Sequence, residues 1–210
     1  MRDSLLSPAN MSGFDETILR EYLEVQGFYV RGRRYFPGGK GSRRSGAVEE
    51  VEDFLIWRGD AERAERPNTF VWFSTDLQRV GAARVFIRPW HQEAGFSPKM
   101  LNRAGELAKF IETKVVRQVE TILTGGEKGP EGIPRVLVLP AFPLAETQRT
   151  ACTKLLQAVG IDAVLSFRSI LDDVVRSVEK NGIYAKTPVL ESVRILHSYD
   201  LIKDPQLGLF

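Results

Sequence analysis

The chain has 210 residues, with 29 Lys+Arg against 27 Asp+Glu for a formal charge of +2, and 43 % of it is hydrophobic. That balance is ordinary for a folded domain and excludes a collagen-like chain, a disulfide scaffold and a disordered charged tail. The single cysteine, Cys152, can form no internal disulfide and no cysteine-based zinc set, and no apolar run nears the ~18 residues of a bilayer-spanning helix, so a reducing, cytoplasmic setting without a membrane partner is expected.

Taken in chain order, residues 1–11 carry no signal-peptide core and are expected to form a flexible N-terminus, with residues 12–210 as a single domain: a core of 12–167 and a helical extension of 168–210. Ser12-Gly13-Phe14-Asp15 has the look of a capping box, and Ile18, Leu19, Tyr22 and Leu23 make one stripe of a helix that Gly27 ends. GFYVRGRRYF predicts a first strand that runs into a basic segment. Arg31, Arg33, Arg34, Lys40, Arg43 and Arg44 fall there without an acidic residue among them. Gly32, Gly38, Gly39, Gly41 and Gly46 would let this segment mould itself to phosphates; the alternative is an ordinary solvated loop.

Glu49, Glu50, Glu52 and Asp53 follow, and AVEEVEDFLIW predicts a second strand. NTFVWFST reads as a short apolar strand, an insertion, before the further strand ARVFIRPW, which Pro89 halts. From Ser97 to Leu123 the apolar residues keep helical spacing and predict one long amphipathic helix. RVLVLPAF has the continuous apolarity of a buried parallel strand. Helix ETQRTACTKLLQAVG, strand DAVLSF, helix SILDDVVRSVEKNG and a last helix opened by Thr187-Pro188 complete the order. Strands that first neighbour each other and then alternate with helices predict an α/β fold, one mixed sheet with helices on both faces.

No phosphate-binding P-loop, dinucleotide fingerprint or nucleophile elbow is present. The two histidines, His91 and His197, lie far apart and outside any metal-binding motif, as packing or surface histidines do. The acidic candidates sit at element ends. Glu16 leans toward the buried stripe of the first helix, where it either acts or simply complements the helix N-terminus. Asp53 lies within an apolar strand, where a carboxylate is costly unless paired or liganded; the plainer alternative is a strand-start residue facing solvent. In ARVFIRPW, alternation places Arg84, Phe86, Arg88 and Trp90 on one face. Arginines interleaved with aromatics suit nucleic acid, and equally an amphipathic edge strand whose arginine stems cover apolar surface.

In this order the pieces resemble the PD-(D/E)xK nuclease superfamily, of restriction-endonuclease-like fold. ETILREYLEVQGFYV is similar to the first helix and strand of Holliday-junction resolvases, with Glu16 at the interval from Gly27 that the catalytic glutamate keeps there. VEDFLI resembles the strand carrying the metal-binding aspartate, here Asp53. VFIRPWH stands where the third strand carries Glu-x-Lys, followed by Trp90-His91. The resemblance implies an α-β-β-β-α-β core over about residues 12–167, DNA as partner, and Mg²⁺ or Mn²⁺ held by Glu16 and Asp53.

The Glu-x-Lys positions hold Phe86 and Arg88. A phenyl ring offers Mg²⁺ no oxygen, and a guanidinium of pKa above ~12 exchanges no proton usefully. The expectation is therefore a nuclease-like domain with a decayed metal site, needing no cofactor, with Glu16, Asp53 and Arg88 vestigial. Arg31, Arg33, Arg34, Lys40, Arg43, Arg44, Arg84 and Arg88 would keep the phosphate contacts, so that the domain binds DNA or serves a DNA-processing assembly without cleavage. One alternative is an active Mg²⁺- or Mn²⁺-dependent endonuclease that borrows a carboxylate from Glu49, Glu50, Glu52, Asp76 or Glu93, with His91 as proton acceptor. Another is a protein-interaction scaffold using the last helix, whose Val189, Leu190, Val193, Leu196 and Tyr199 are otherwise expected to pack on the sheet.

Overall fold

The computed structural model describes residues 13–35, 51–59, 66–93, 95–125, 132–178 and 187–202. The N-terminus to Ser12, the basic residues Lys40, Arg43 and Arg44, and the acids Glu49 and Glu50 lie outside the described residues, as do the side chains of Arg33, Arg34 and Glu52.

Six strands, β1 (Tyr29–Tyr35), β2 (Val51–Trp57), β3 (Val71–Trp72), β4 (Ala82–Phe86), β5 (Arg135–Leu139) and β6 (Ala163–Ser166), form one mixed sheet in the order β1-β2-β4-β5-β6-β3. β1, β2 and β4 pair antiparallel, whereas β4, β5, β6 and β3 pair parallel. The change of direction follows from the connections. β5 and β6 are each reached through helices, and a crossover helix delivers a parallel strand.

Helices cover both faces. α1 (Phe14–Val25), α6 (Phe167–Ser177) and α7 (Pro188–Ser198) bury Leu19, Leu23, Ile170, Val174, Val189 and Leu190 against Phe54, Ile56, Val85, Val136 and Leu165. The opposite face of β4, β5 and β6, with Phe86, Leu137, Leu139 and Val164, packs under α3 (Ala104–Phe110), α4 (Val116–Gly125) and α5 (Glu146–Ala158). Within β2 the two faces separate Phe54 and Ile56 from Asp53, Leu55 and Trp57, as period-two alternation requires. Among the described residues, no helix is long and apolar enough to cross a membrane.

Several expectations are refined. The long helix starts later than Ser97: Pro98–Asn102 forms a 3-10 turn, Arg103 is extended (φ −126°, ψ 92°), and α3 begins at Ala104. Between α3 and α4 the helix loosens to a π-helical stretch, Ile111–Val115, with both of its end residues fully buried. NTFVWFST contributes only the two-residue β3, which docks parallel to β6 at the far edge and leads into the single-turn helix α2 (Ser74–Leu77). Phe167 opens α6 instead of closing β6. β4 is a central strand between β2 and β5, which removes the edge-strand reading of ARVFIRPW. On α7, Val189 and Leu190 are buried as expected, but Leu196 and Tyr199 are 39 % and 74 % exposed. Between them His197 is buried, so the last turn of the helix still packs but turns these two side chains outward.

Candidate functional site

Asp53 is the residue on which the site turns. It is fully buried, so its carboxylate does not face solvent as a strand-start residue would. Its register partners are Arg33 on β1 and Phe86 on β4. Such burial is tolerated only with compensation, and Arg84 supplies it: Nε of Arg84 donates to Oδ2 of Asp53.

The contact is diagonal. Arg84 stands opposite Leu55 in the register and reaches two residues along β2 to find Asp53. Its guanidinium lies over the ring of Phe86, 4.7 Å from the centroid. Phe86 is thus the floor on which the charge of Arg84 is laid toward Asp53. A flat cation over a ring face gains from the ring quadrupole and keeps its N–H edge free to bond the carboxylate.

This arrangement corrects one expectation. Arg84 and Arg88, 5 % and 6 % exposed, are not a surface offered to phosphate. The face they occupy, which alternation identified, is the one that the α3–α5 layer covers. Arg88 follows the end of β4, and Ile87 before it and Trp90 after it pack into opposite cores. The indole N–H of Trp90 donates to the carbonyl of Val138 at 2.7 Å and fixes the chain leaving β4 onto β5. Arg84 pairs with Asp53.

The first turn of α1 lies against the same exit. A side chain at Gly13 would touch Cβ of Pro89 at 3.9 Å, and Oδ2 of Asp15 is 2.8 Å from Nδ1 of His91. The His91 ring is also held by Phe96 and Phe167, with centroids at 5.2 Å to each. His91 is thus an exposed residue whose ring is committed to a carboxylate. Glu16, next along α1, is half-buried, and its Oε2 is screened from solvent, as are Oδ1 of Asp53 and Nε of Arg88. Acidic residues in the first turn complement the helix dipole whatever else they do.

Among the described residues, no group of three or more His, Cys, Asp and Glu side chains is arranged to hold a metal ion. Mg²⁺ demands near-octahedral oxygen ligands. The group facing Asp53 across the ladder is a phenyl ring, and a cation of the protein itself already bonds its Oδ2. These two neighbours of Asp53, a guanidinium and a phenyl ring, offer such an ion no oxygen ligand. Of the substitute carboxylates, Asp76 is spent on capping α2, accepting from the Phe73 N–H at 3.0 Å. Glu52 pairs in register with Arg34. Glu93 ends the 3-10 turn Trp90–Gln92.

Of the basic segment, Arg31 is exposed on β1, two residues from Arg33. Two constellations escape a reading of the sequence. Asp15 and His91 are brought together across 76 positions. Tyr29 and Trp57 stack at the end of the β1–β2 pair with centroids 5.6 Å apart. Their partnership depends on the strand register, which the long basic segment between the two strands does not reveal. His197, by contrast, is buried. Comparison with protein family models, with curated proteins and with solved structures returns no match for this chain.

Proposed function

We propose that this chain is a restriction-endonuclease-like domain that binds DNA without cutting it, its cleavage centre replaced by an internal ion pair. One observation carries the reading: the carboxylate at the expected metal position is buried against Arg84, and that guanidinium rests on the ring standing where the second ligand is expected.

The connectivity supports it. A helix, an antiparallel β1-β2-β4 run and a helical crossover to a parallel β5 are the α-β-β-β-α-β order implied by the resemblance, with β3 as an addition at the far edge. The register supports it as well, since Phe86 lies directly opposite Asp53, where a Glu would complete a metal site. With no ion held, no hydroxide is generated and no leaving oxyanion is neutralised. What remains is charge for phosphates: Arg31, Arg33 and Arg34 on β1, then Lys40, Arg43 and Arg44.

The test is to reverse Arg33, Arg34, Arg43 and Arg44 to Glu together and measure duplex DNA affinity against salt. The wild-type log–log slope should lose about one unit for each phosphate contact removed. Unchanged affinity would end the DNA reading. Cleavage of supercoiled or branched DNA with Mn²⁺, abolished by Asp53→Ala, would instead establish the active endonuclease.

A scaffold reading has one observation in its favour. Ile195, Tyr199 and Leu201, exposed at 57 %, 74 % and 72 %, form an apolar end to α7. It would stand if the protein bound neither nucleic acid nor metal and Ile195→Asp weakened a protein complex.

A further inference from the structure

We propose that Tyr29 and Trp57, with Arg31 beside them, form a stacking platform for an unpaired base of single-stranded DNA. The proposal rests on the DNA-binding reading and names the form of DNA that the hairpin recognises.

The two rings are direct register partners on the outermost strand pair of the sheet, stacked at 5.6 Å with an interplanar angle of 25°. A cross-strand aromatic pair closes a hairpin end on its own account. Here, however, Tyr29 is 61 % and Trp57 40 % exposed, so much of the ring surface that such a pair ordinarily hides remains wet. Trp57 differs in this from the other two tryptophans of the chain, Trp72 and Trp90, at 1 % and 2 %. A nucleobase added to the open side of the stack would cover that surface, and bases of any identity present the flat face it needs.

The charge around the pair suits a strand of phosphates. Arg31 is exposed, shares the face of Tyr29 by alternation, and sits about 7 Å along β1 at the usual strand rise. The acid sharing this face of the two strands is Asp53, fully buried and already bonded by Arg84, so it presents no open carboxylate to a backbone. The platform is also preorganised. Gly27 makes the turn into β1 with φ +86°, a conformation that disfavours a side chain. Arg58, next to Trp57, donates to the carbonyl of Gln26 and lies over Phe28 at 4.4 Å, clamping the two strand ends together. A rigid pair loses little freedom on binding.

Trp57 reports the event directly. Oligothymidylate should quench the tryptophan emission of the wild-type protein and shield it from acrylamide, whereas a duplex of equal length should do neither. In anisotropy titrations, Trp57→Ala should weaken oligothymidylate about tenfold while changing duplex affinity by less than about twofold, and Trp57→Phe should keep most of the single-strand affinity. Oligothymidylate that binds with unchanged emission, or Trp57→Ala that weakens both forms equally, would overturn the platform and leave the DNA reading intact. If neither single strand nor duplex binds, both fall.

Discussion

Arg84 reaches Asp53 across the register, not along it: its opposite residue is Leu55, and the ring of Phe86 carries its guanidinium to the carboxylate two positions away. On the proposed reading, Phe86 both withholds an oxygen ligand and supports the cation that neutralises Asp53.

Both members of the pair are buried, at 6 % and 0 % side-chain exposure. Removing one side of such a pair takes compensation from a buried charge, so Arg84→Met is expected to lose about 3–5 kcal/mol in urea unfolding. The double variant Asp53→Leu, Arg84→Met should recover most of that loss, since two apolar groups need no partner. A double variant no more stable than the single one would show that the ion pair is not the source of the effect.

A resident ion would stabilise the fold by about 2.7 kcal/mol at a hundred times its Kd. Because Arg84 already bonds Asp53, Mn²⁺ is expected to produce no rise in Tm of the wild-type protein. Replacing Arg84 by Ala and Phe86 by Glu together places two carboxylates opposite each other, and that variant should acquire a Mn²⁺-dependent rise. A Mn²⁺-dependent rise in the wild-type protein that Asp53→Asn abolishes would refute the ion-pair account.

Tyr22 gives the fold an alkaline weakness. Its hydroxyl donates to Oδ2 of Asp173 at 3.2 Å, and burial first, then the Asp173 charge and that hydrogen bond, push its pKa well above the usual tyrosine value. The unfolded chain therefore loses this proton before the folded one does. The contribution is complete below pH ~10 and declines as pH rises beyond it. Tyr22→Phe should cost about 1 kcal/mol near neutrality and flatten the fall in stability above pH ~10, read from urea unfolding at several pH values. An unchanged alkaline slope in that variant would place the titration elsewhere.

Cys152 is buried in the core under α5, and burial, followed by the nearby Glu112, raises the pKa of its thiol. A thiol-exchange reagent needs thiolate and access, so modification of the native protein is expected to be slow and to become fast in urea. Rapid labelling without denaturant would contradict the packing of α5.

The element order was legible because its signals are local. After Arg135, VLVL is apolar at every position, as a strand covered on both faces is, and Thr187-Pro188 announces α7 by its chemistry, with Oγ1 of Thr187 accepting from the Leu190 N–H. Asp53 stood out as a carboxylate among apolar neighbours. What sequence could not supply was the partner. Alternation placed Arg84 on a defined face, but whether that face meets water or helices depends on how many strands flank β4. The exposure of Leu196 and Tyr199 was hidden as well, since an apolar stripe does not say which of its residues meet a neighbouring element.

The far edge of the sheet sets an order of assembly. β3 has no neighbour but β6, and β6 is made only after β4, α3, α4, β5 and α5. Until then Trp72, which ends up almost wholly enclosed, has no wall to close over it on the ribosome. Pairings so distant along the chain form late and slowly. The antiparallel run β1-β2-β4 can mature first, while the stretch around Trp72 waits as an adhesive apolar surface of the kind on which chaperones act.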